Sequence, residues 1–275
     1  METEESGEST PSKNIYKQGI VKVYTVRVKI SITPEEDFAW SEINQNLLVG
    51  LVWNLIKGAG YEILHDQRGF KFFTFSEIFP FGDFKKDEAK SMIISSPDPR
   101  FAEKIAEKIG DCYTARLGSH PVTLSTDKVF RIRPSSTWEA GSPVVVRLDS
   151  GRYWREDQNT LGEFIRLLEQ NAVAKYRAYT GDQAFGIEFP LFEQYEFVKG
   201  VVHSFRKGDG QRVMIIGSKW RFGLPKGWKM YREFYSFLMD CGIGEKNAMG
   251  YGFVNPVRGG GKGDRGAVRD RKGGC

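Results

Sequence analysis

Histidine is the side chain whose ordinary ionisation leaves proton-bearing and proton-free forms both available near neutral pH, so proton-transfer chemistry is sought there first. The chain holds three, His65, His120 and His203. His65 follows an apolar run and directly precedes Asp66, and Lys71 stands six residues further on. An imidazole can move a proton, and an ammonium can steady a growing negative charge. Taken alone, such a histidine reads more readily as a surface or capping residue, and such a lysine as the solvent-facing member of a strand. His120 precedes Pro121 and His203 falls in a strand pattern, so both read as structural.

The most unusual stretch is 242–252, Gly-Ile-Gly-Glu-Lys-Asn-Ala-Met-Gly-Tyr-Gly, with four glycines, a lysine and an asparagine in eleven residues. It is not a dinucleotide-binding fingerprint, because Asn247 stands where a third glycine is needed and the segment follows a helix pattern instead of opening one. It is not a phosphate-binding P-loop either, since no Gly-Lys-Ser or Gly-Lys-Thr occurs. Two readings stay open. The glycines Gly242, Gly244, Gly250 and Gly252 can let backbone amides approach an anion, with Lys246 adding charge and Asn247 adding donors; or they can serve a tight helix-to-strand turn that needs positive φ.

The elements that must carry these residues are marked by periodicity. Residues 21–32 alternate and are rich in β-branched side chains, which predicts a strand. Ile43, Leu47, Leu48, Leu51, Val52, Leu55 and Ile56 recur three and four apart, predicting a helix stopped by Gly58 and Gly60. Strands are expected over 70–75 and 91–95. Asp98 is placed to cap a helix with Pro99 in its first turn, Phe101, Ile105 and Ile109 on its apolar face and Gly110 at its end. A strand over 122–133 completes the order strand, helix, strand, strand, helix, strand, which is the ferredoxin-like plan.

The second half repeats that plan less clearly. A strand over 144–148 is followed by a long helix marked by Leu161, Phe164, Ile165, Leu168, Val173 and Tyr176 and ending near Gly181. Strands over 192–206 and 212–221 are joined by a basic hairpin at 207–211. A helix over 228–241, the glycine-rich loop and a last strand over 251–254 follow. The expected fold is α+β: tandem ferredoxin-like (RRM-like) domains, each an antiparallel sheet with helices packed on one face. The divisions are an acidic tail over 1–15, domains over 16–138 and 139–257 joined where small and polar residues cluster at 135–141, and a basic tail over 258–275. Both tails read as disordered.

With 275 residues, 40% hydrophobic and 27% charged, the chain is long enough for two ordinary domains. No apolar run reaches the length of a membrane span and the start, Met-Glu-Thr-Glu-Glu, lacks the character of a signal peptide, so a cytoplasmic location is expected. Three scattered cysteines without histidine at metal-ligand spacing argue against disulfides and structural zinc. A net charge of +5 is mildly basic and by itself says little about nucleic acid.

The glycine-rich segment resembles the C-terminal signature of the CRISPR-associated repeat-processing endoribonucleases, RNA-binding proteins of the RAMP superfamily. A second match lies at Gly50-Leu51-Val52-Trp53-Asn54-Leu55-Ile56-Lys57, then Leu64-His65-Asp66, then Lys71-Phe72-Phe73-Thr74-Phe75-Ser76. Together they extend the resemblance over about 21–254. It implies cleavage of precursor transcripts within the repeat, without metal or cofactor, by attack of a ribose 2′-hydroxyl on the adjacent phosphate. The products are a cyclic phosphate, a 5′-hydroxyl and, in sum, guide RNAs.

On that resemblance His65 matches the catalytic histidine and Lys71 the lysine that stabilises the transition state. Trp53 departs from the pattern, standing where relatives often carry a tyrosine; an indole only donates a hydrogen bond and exchanges no proton, so it is assigned to binding, and Tyr61 becomes the substitute for proton transfer. Lys246 and Asn247, with the four glycines, are the first choices for gripping the RNA backbone. Arg206, Lys207 and Arg212 at the basic hairpin and Arg131 and Arg133 on one strand are further candidates, and Tyr24, Trp220 and Tyr251 are candidates for stacking on bases. The expected partner is CRISPR repeat RNA, and also subunits of an interference complex, for a monomer or homodimer. The alternative is a non-catalytic RAMP-type RNA-binding subunit of such a complex.

Overall fold

The computed structural model describes residues 25–66, 68–206 and 210–257. The two expected tails, Tyr24 and Lys207 lie outside them. The first strand, β1, runs over Thr25–Pro34 and puts Val26, Val28, Ile30 and Ile32 into a core on one face. Helix α1 (Gln45–Gly58) follows because Asn44 caps it, accepting from the amides of Asn46 and Leu47, and because Leu48, Leu51, Val52, Leu55 and Ile56 form one buried face. A single turn, α2 (Ile63–Asp66), is anchored by the buried Leu64.

The strand expected over 70–75 shrinks to β2, Thr74–Phe75. The Phe73 amide donates to the Lys71 carbonyl at 2.7 Å, a three-residue turn that breaks the ladder. Neighbouring aromatics then part company: Phe72 enters the second domain's core against Tyr179 and Phe237, while Phe73 stays in the first. Strand β3 (Lys90–Ser95) and helix α3 (Pro99–Ile109) form as the sequence indicates, with Asp98 accepting from the Arg100 amide and Gly110 at positive φ closing the helix. An unforeseen strand, β4 (Tyr113–Leu117), pairs with β5 (His120–Ile132) as a hairpin. The first sheet is ordered β2-β3-β1-β5-β4.

In the second half the expected strand over 144–148 makes only isolated bridges, from Val144 to Ser218, from Val145 to Glu245 and from Arg147 to Tyr153. Its three valines are divided between two apolar clusters, so no single pleated face forms. The first strand is instead β6, Thr137–Ala140, within the stretch read as the join, where buried Trp138 and Ala140 alternate with exposed Thr137 and Glu139. Helix α4 (Leu161–Thr180) opens with a reciprocal cap between Thr160 and Glu163 and stops at left-handed Gly181. Strands β7 (Gln194–Arg206) and β8 (Arg212–Gly223) form the long hairpin. A 3-10 turn at Trp228–Tyr231 leads into α5 (Arg232–Cys241), and β9 (Val254–Pro256) is the last strand among the described residues, three residues later than expected because 250–253 are still folded into the glycine turn. The order β7-β8-β6-β9 repeats that of β2-β3-β1-β5, so both halves are ferredoxin-like.

Buried polar groups join the halves. Arg27 is fully buried, donating to Asn255 Oδ1 at 2.8 Å and to the carbonyls of Met239 and Val254 at 2.9 and 2.8 Å, with its guanidinium 4.5 Å from the Phe253 ring centre. Thr74 donates to the Tyr251 carbonyl, Ser95 to that of Asp240, and Gln45 to that of Met249. No helix among the described residues is long and apolar enough to cross a membrane.

Candidate functional site

His65 reaches the surface because the chain turns sharply after α1. The Tyr61 amide donates to the Ile56 carbonyl and the His65 amide to that of Glu62, winding the α2 turn so that the His65 ring stays half exposed, at 51%. Its Nδ1 lies 2.8 Å from Asp66 Oδ1. This hydrogen bond holds the Asp66 carboxyl below the usual carboxylate range, and an ionised carboxylate can only accept. Nδ1 therefore carries the proton, and Nε2 is the basic nitrogen.

Two side chains flank this imidazole. Trp53, one turn before the end of α1, meets it edge-on with ring centres 5.3 Å apart and meets Phe73 in the same way at 5.2 Å. Lys71 donates to the His65 carbonyl at 2.7 Å and lies 4.9 Å from the centre of the Trp53 ring. Partial burial lowers the Lys71 pKa, and the Asp66 charge opposes that shift. Indole thus packs against both groups and fixes them, a task a proton-exchanging residue is not needed for. Tyr61 is tied elsewhere: its hydroxyl donates to Asp98 Oδ2 at 2.8 Å and its ring packs on Phe101, so it braces the start of α3.

A cleft of about 460 Å³ runs from Phe70 and Lys71, past Arg147 and the α4 residues Asn171 and Lys175, to the outer side of the glycine-rich loop at 244–248. The cluster around His65 and the far end of the chain therefore share one opening through Lys71. At its rim Arg147 and Glu245 form an ion pair at 2.5 Å.

The loop itself is built by internal packing. Gly242, Gly244, Gly250 and Gly252 all have positive φ, and a Cβ on any of them would collide with the loop or its supports: with Asn247 at Gly242, the Val145 carbonyl at Gly244, Phe75 at Gly250 and the Ile243 carbonyl at Gly252. Asn247, expected to offer donors to a phosphate, is buried and spends its amide on the Ile243 and Tyr251 carbonyls at 3.1 and 2.9 Å. Lys246, in the left-handed conformation, lines the cleft.

The residue that holds the loop from beneath was not singled out in the sequence. Lys175 is only 2% exposed, and its ammonium donates to the Gly242 carbonyl, the Gly244 carbonyl and Asn247 Oδ1 at 2.5, 3.0 and 2.8 Å. A signal existed: Lys175 continues the buried face of Phe164, Leu168 and Ala172, where a lysine needs a reason to sit. Burial lowers its pKa from the ordinary 10.5. Lys175→Met orphans three acceptors at about 1–3 kcal/mol each, offset by relief of the desolvated charge, so a net loss of about 2 kcal/mol is expected. The unfolded chain holds this proton more tightly than the folded one, so the wild type's advantage over the variant should grow as pH rises from neutrality towards the ordinary lysine value of 10.5. Denaturant titrations of both proteins across that range measure it.

The remaining candidates stand apart from the cleft lining. Arg206 and Arg212 face each other across the end of the β7–β8 hairpin, both exposed, with Arg212 donating to Ser204. Arg131 on β5 and Arg133 just after it are also exposed. Trp220 and Tyr251 are core residues, 2% and 1% exposed, which removes both as base-stacking platforms. His120 lies between Glu36 and Glu42, stacked on Phe38, and His203 bonds the Tyr251 hydroxyl at 2.9 Å.

Comparison with known proteins places this arrangement. A family model described as CRISPR associated protein Cas6, C-terminal, matches residues 126–256. The CRISPR-associated endoribonuclease Cas6 2 of Methanocaldococcus jannaschii is 32% identical over 248 residues, spanning 85% of this chain and all of the relative. A solved structure titled CRISPR associated protein Cas6 superposes with a TM-score of 0.61 at 20% identity, over 85% of this chain and all of that one. Another, titled an RAMP protein binding different RNA substrates, gives 0.58 at 18% identity with the same coverage.

Proposed function

Because the chain belongs to the Cas6 family of CRISPR-associated endoribonucleases, we propose that it binds CRISPR repeat RNA and cuts precursor transcripts within the repeat, without a metal ion, to yield guide RNAs. The observation that carries this reading is that Lys71, which donates to the His65 carbonyl, lines one cleft with the glycine-rich loop.

In the proposed reaction His65 Nε2 takes the proton of a ribose 2′-hydroxyl, freeing O2′ to bond to the adjacent phosphorus. The bond from phosphorus to O5′ breaks, O5′ takes a proton from solvent and leaves as a hydroxyl, His65 later returns its own proton to solvent, and a 2′,3′-cyclic phosphate remains. Asp66 fixes the tautomer and supports the imidazolium that forms. One Lys71 proton is held by the His65 carbonyl, and the ammonium's remaining protons face the charge that grows on the phosphorane. Base and cation are both side chains, so the chemistry has no call on a metal. The first half supplies the catalytic cluster, and the second, which the chain enters at β6, supplies the loop. Lys246 contacts the RNA backbone directly, while the glycines and Asn247 act by shaping the loop. The exposed Arg131, Arg133, Arg206 and Arg212 extend the phosphate contacts, a site of action in the cytoplasm suits the substrate, and Tyr61 serves as support.

The deciding experiment incubates a repeat RNA with the protein in EDTA, beside RNA bearing a 2′-deoxy sugar upstream of the cut. Cleavage that persists in EDTA and is lost on the deoxy RNA is the expected result; cleavage that EDTA stops overturns metal independence, and binding without any cut identifies a scaffold. Lys71→Ala should slow single-turnover cleavage on the order of 10²-fold at saturating RNA, measured by gel-resolved time courses.

A further inference from the structure

Asn171 stands one helical turn before Lys175 on α4, so the two side chains share a face, and both line the cleft beside Lys71. Lys175 spends its ammonium on the loop's own oxygens. Asn171 is different. Its Oδ1 is shielded from solvent yet has no hydrogen-bond partner among the described residues. Native proteins rarely bury an acceptor in this condition, and those that do usually keep it for a ligand or a functional task. The surroundings fit one ligand class. Phe70, partly buried, offers a ring wall, and Lys71 and Lys246 bring positive charge to the same opening, where Arg147 is paired with Glu245. Its volume of about 460 Å³ falls in the range of small-molecule sites.

We propose that this cleft takes one unpaired nucleotide flanking the cut and that Asn171 reads its base, preferring adenine. A carboxamide presents an acceptor beside a donor, and adenine answers with its N6 amine beside a ring nitrogen, the pairing by which asparagine recognises adenine. Proteins read RNA sequence on unstacked bases whose edges are bare and whose faces rest on an aromatic ring, which is the role of Phe70. The cations hold the flanking phosphates, so the base enters the cleft while its backbone passes Lys71. Asn171 is thereby a specificity-determining residue, and the assignment rests on the cleavage reading above.

The test varies each nucleotide flanking the cut through all four bases and follows single-turnover cleavage by wild type and by Asn171→Leu. At one position wild type should cut the adenine substrate about 10-fold faster than the others, the usual scale for one good base contact, and Asn171→Leu should level that preference while still cutting. A wild type indifferent to adenine at every flanking position, or a preference unchanged in the variant, overturns the proposal. If Asn171→Leu does not fold, Asn171→Ser, which lacks the side-by-side donor and acceptor, carries the same comparison. A wild type that cuts no repeat RNA refutes the cleavage reading as well; one that cuts with a preference independent of Asn171 refutes only the base-reading assignment.

Discussion

Replacing His65 by alanine is expected to slow repeat-RNA cleavage on the order of 10³-fold at saturating substrate, within the range that a positioned proton acceptor supplies. RNA affinity should change little, because His65 lies half exposed at the edge of the cluster while the charges that draw in phosphate, on Lys71 and Lys246, are untouched. Single-turnover rates together with filter binding separate the two quantities. Asp66→Asn should weaken the same step less, since it leaves the imidazole in place and removes only the carboxylate at 2.8 Å that fixes its tautomer. A His65→Ala protein that cuts at the wild-type rate would remove the proposed base and with it the mechanism.

The largest loss of stability is expected from Arg27→Leu, at about 3–5 kcal/mol, the scale for breaking a buried charge arrangement by removing one member. Burial pushes the Arg27 pKa down to about 10, with the Asp240 charge opposing that shift, so the guanidinium remains charged near neutral pH. Its removal abandons the Met239 and Val254 carbonyls and Asn255 at the seam between the halves and takes the neighbouring cation from the buried Asp240. A second substitution, Asp240→Asn, should recover part of the loss, because it removes the carboxylate charge that Arg27 had faced. Urea midpoints for the two single variants and the double variant measure that coupling; an Arg27→Leu protein as stable as wild type would show that the seam is held by its apolar contacts alone.

Much of the site was legible as residue types and spacings. The imidazole at 65, the ammonium at 71 and the tryptophan at 53 are the side chains the structure brings into contact. The loop was legible as a glycine requirement but not as its cause, for collisions with Phe75 and with the Val145 and Ile243 carbonyls become visible only when distant segments close on it. The same limit moved Asn247 from a contact with RNA to a contact with Lys175. The short alternating stretch Thr137–Ala140 forms the strand in place of the more apolar 144–148, since β-branched runs mimic strands wherever they are buried.

By itself the sequence determined the helices and most strands of the two halves, because helix caps and apolar periods act over one turn or one pleat and are written in neighbouring residues. It determined which groups can move a proton or carry a charge near a phosphate. Only the tertiary structure decided that Lys71 and the loop at 244–248 border a single cleft, that Arg27 and Lys175 are interior and that Asn171 keeps an unmet acceptor. A polar side chain reads as solvated until its surroundings are known, and the oxygens that hold Arg27 and Lys175 come from segments far along the chain, which local pattern cannot bring together.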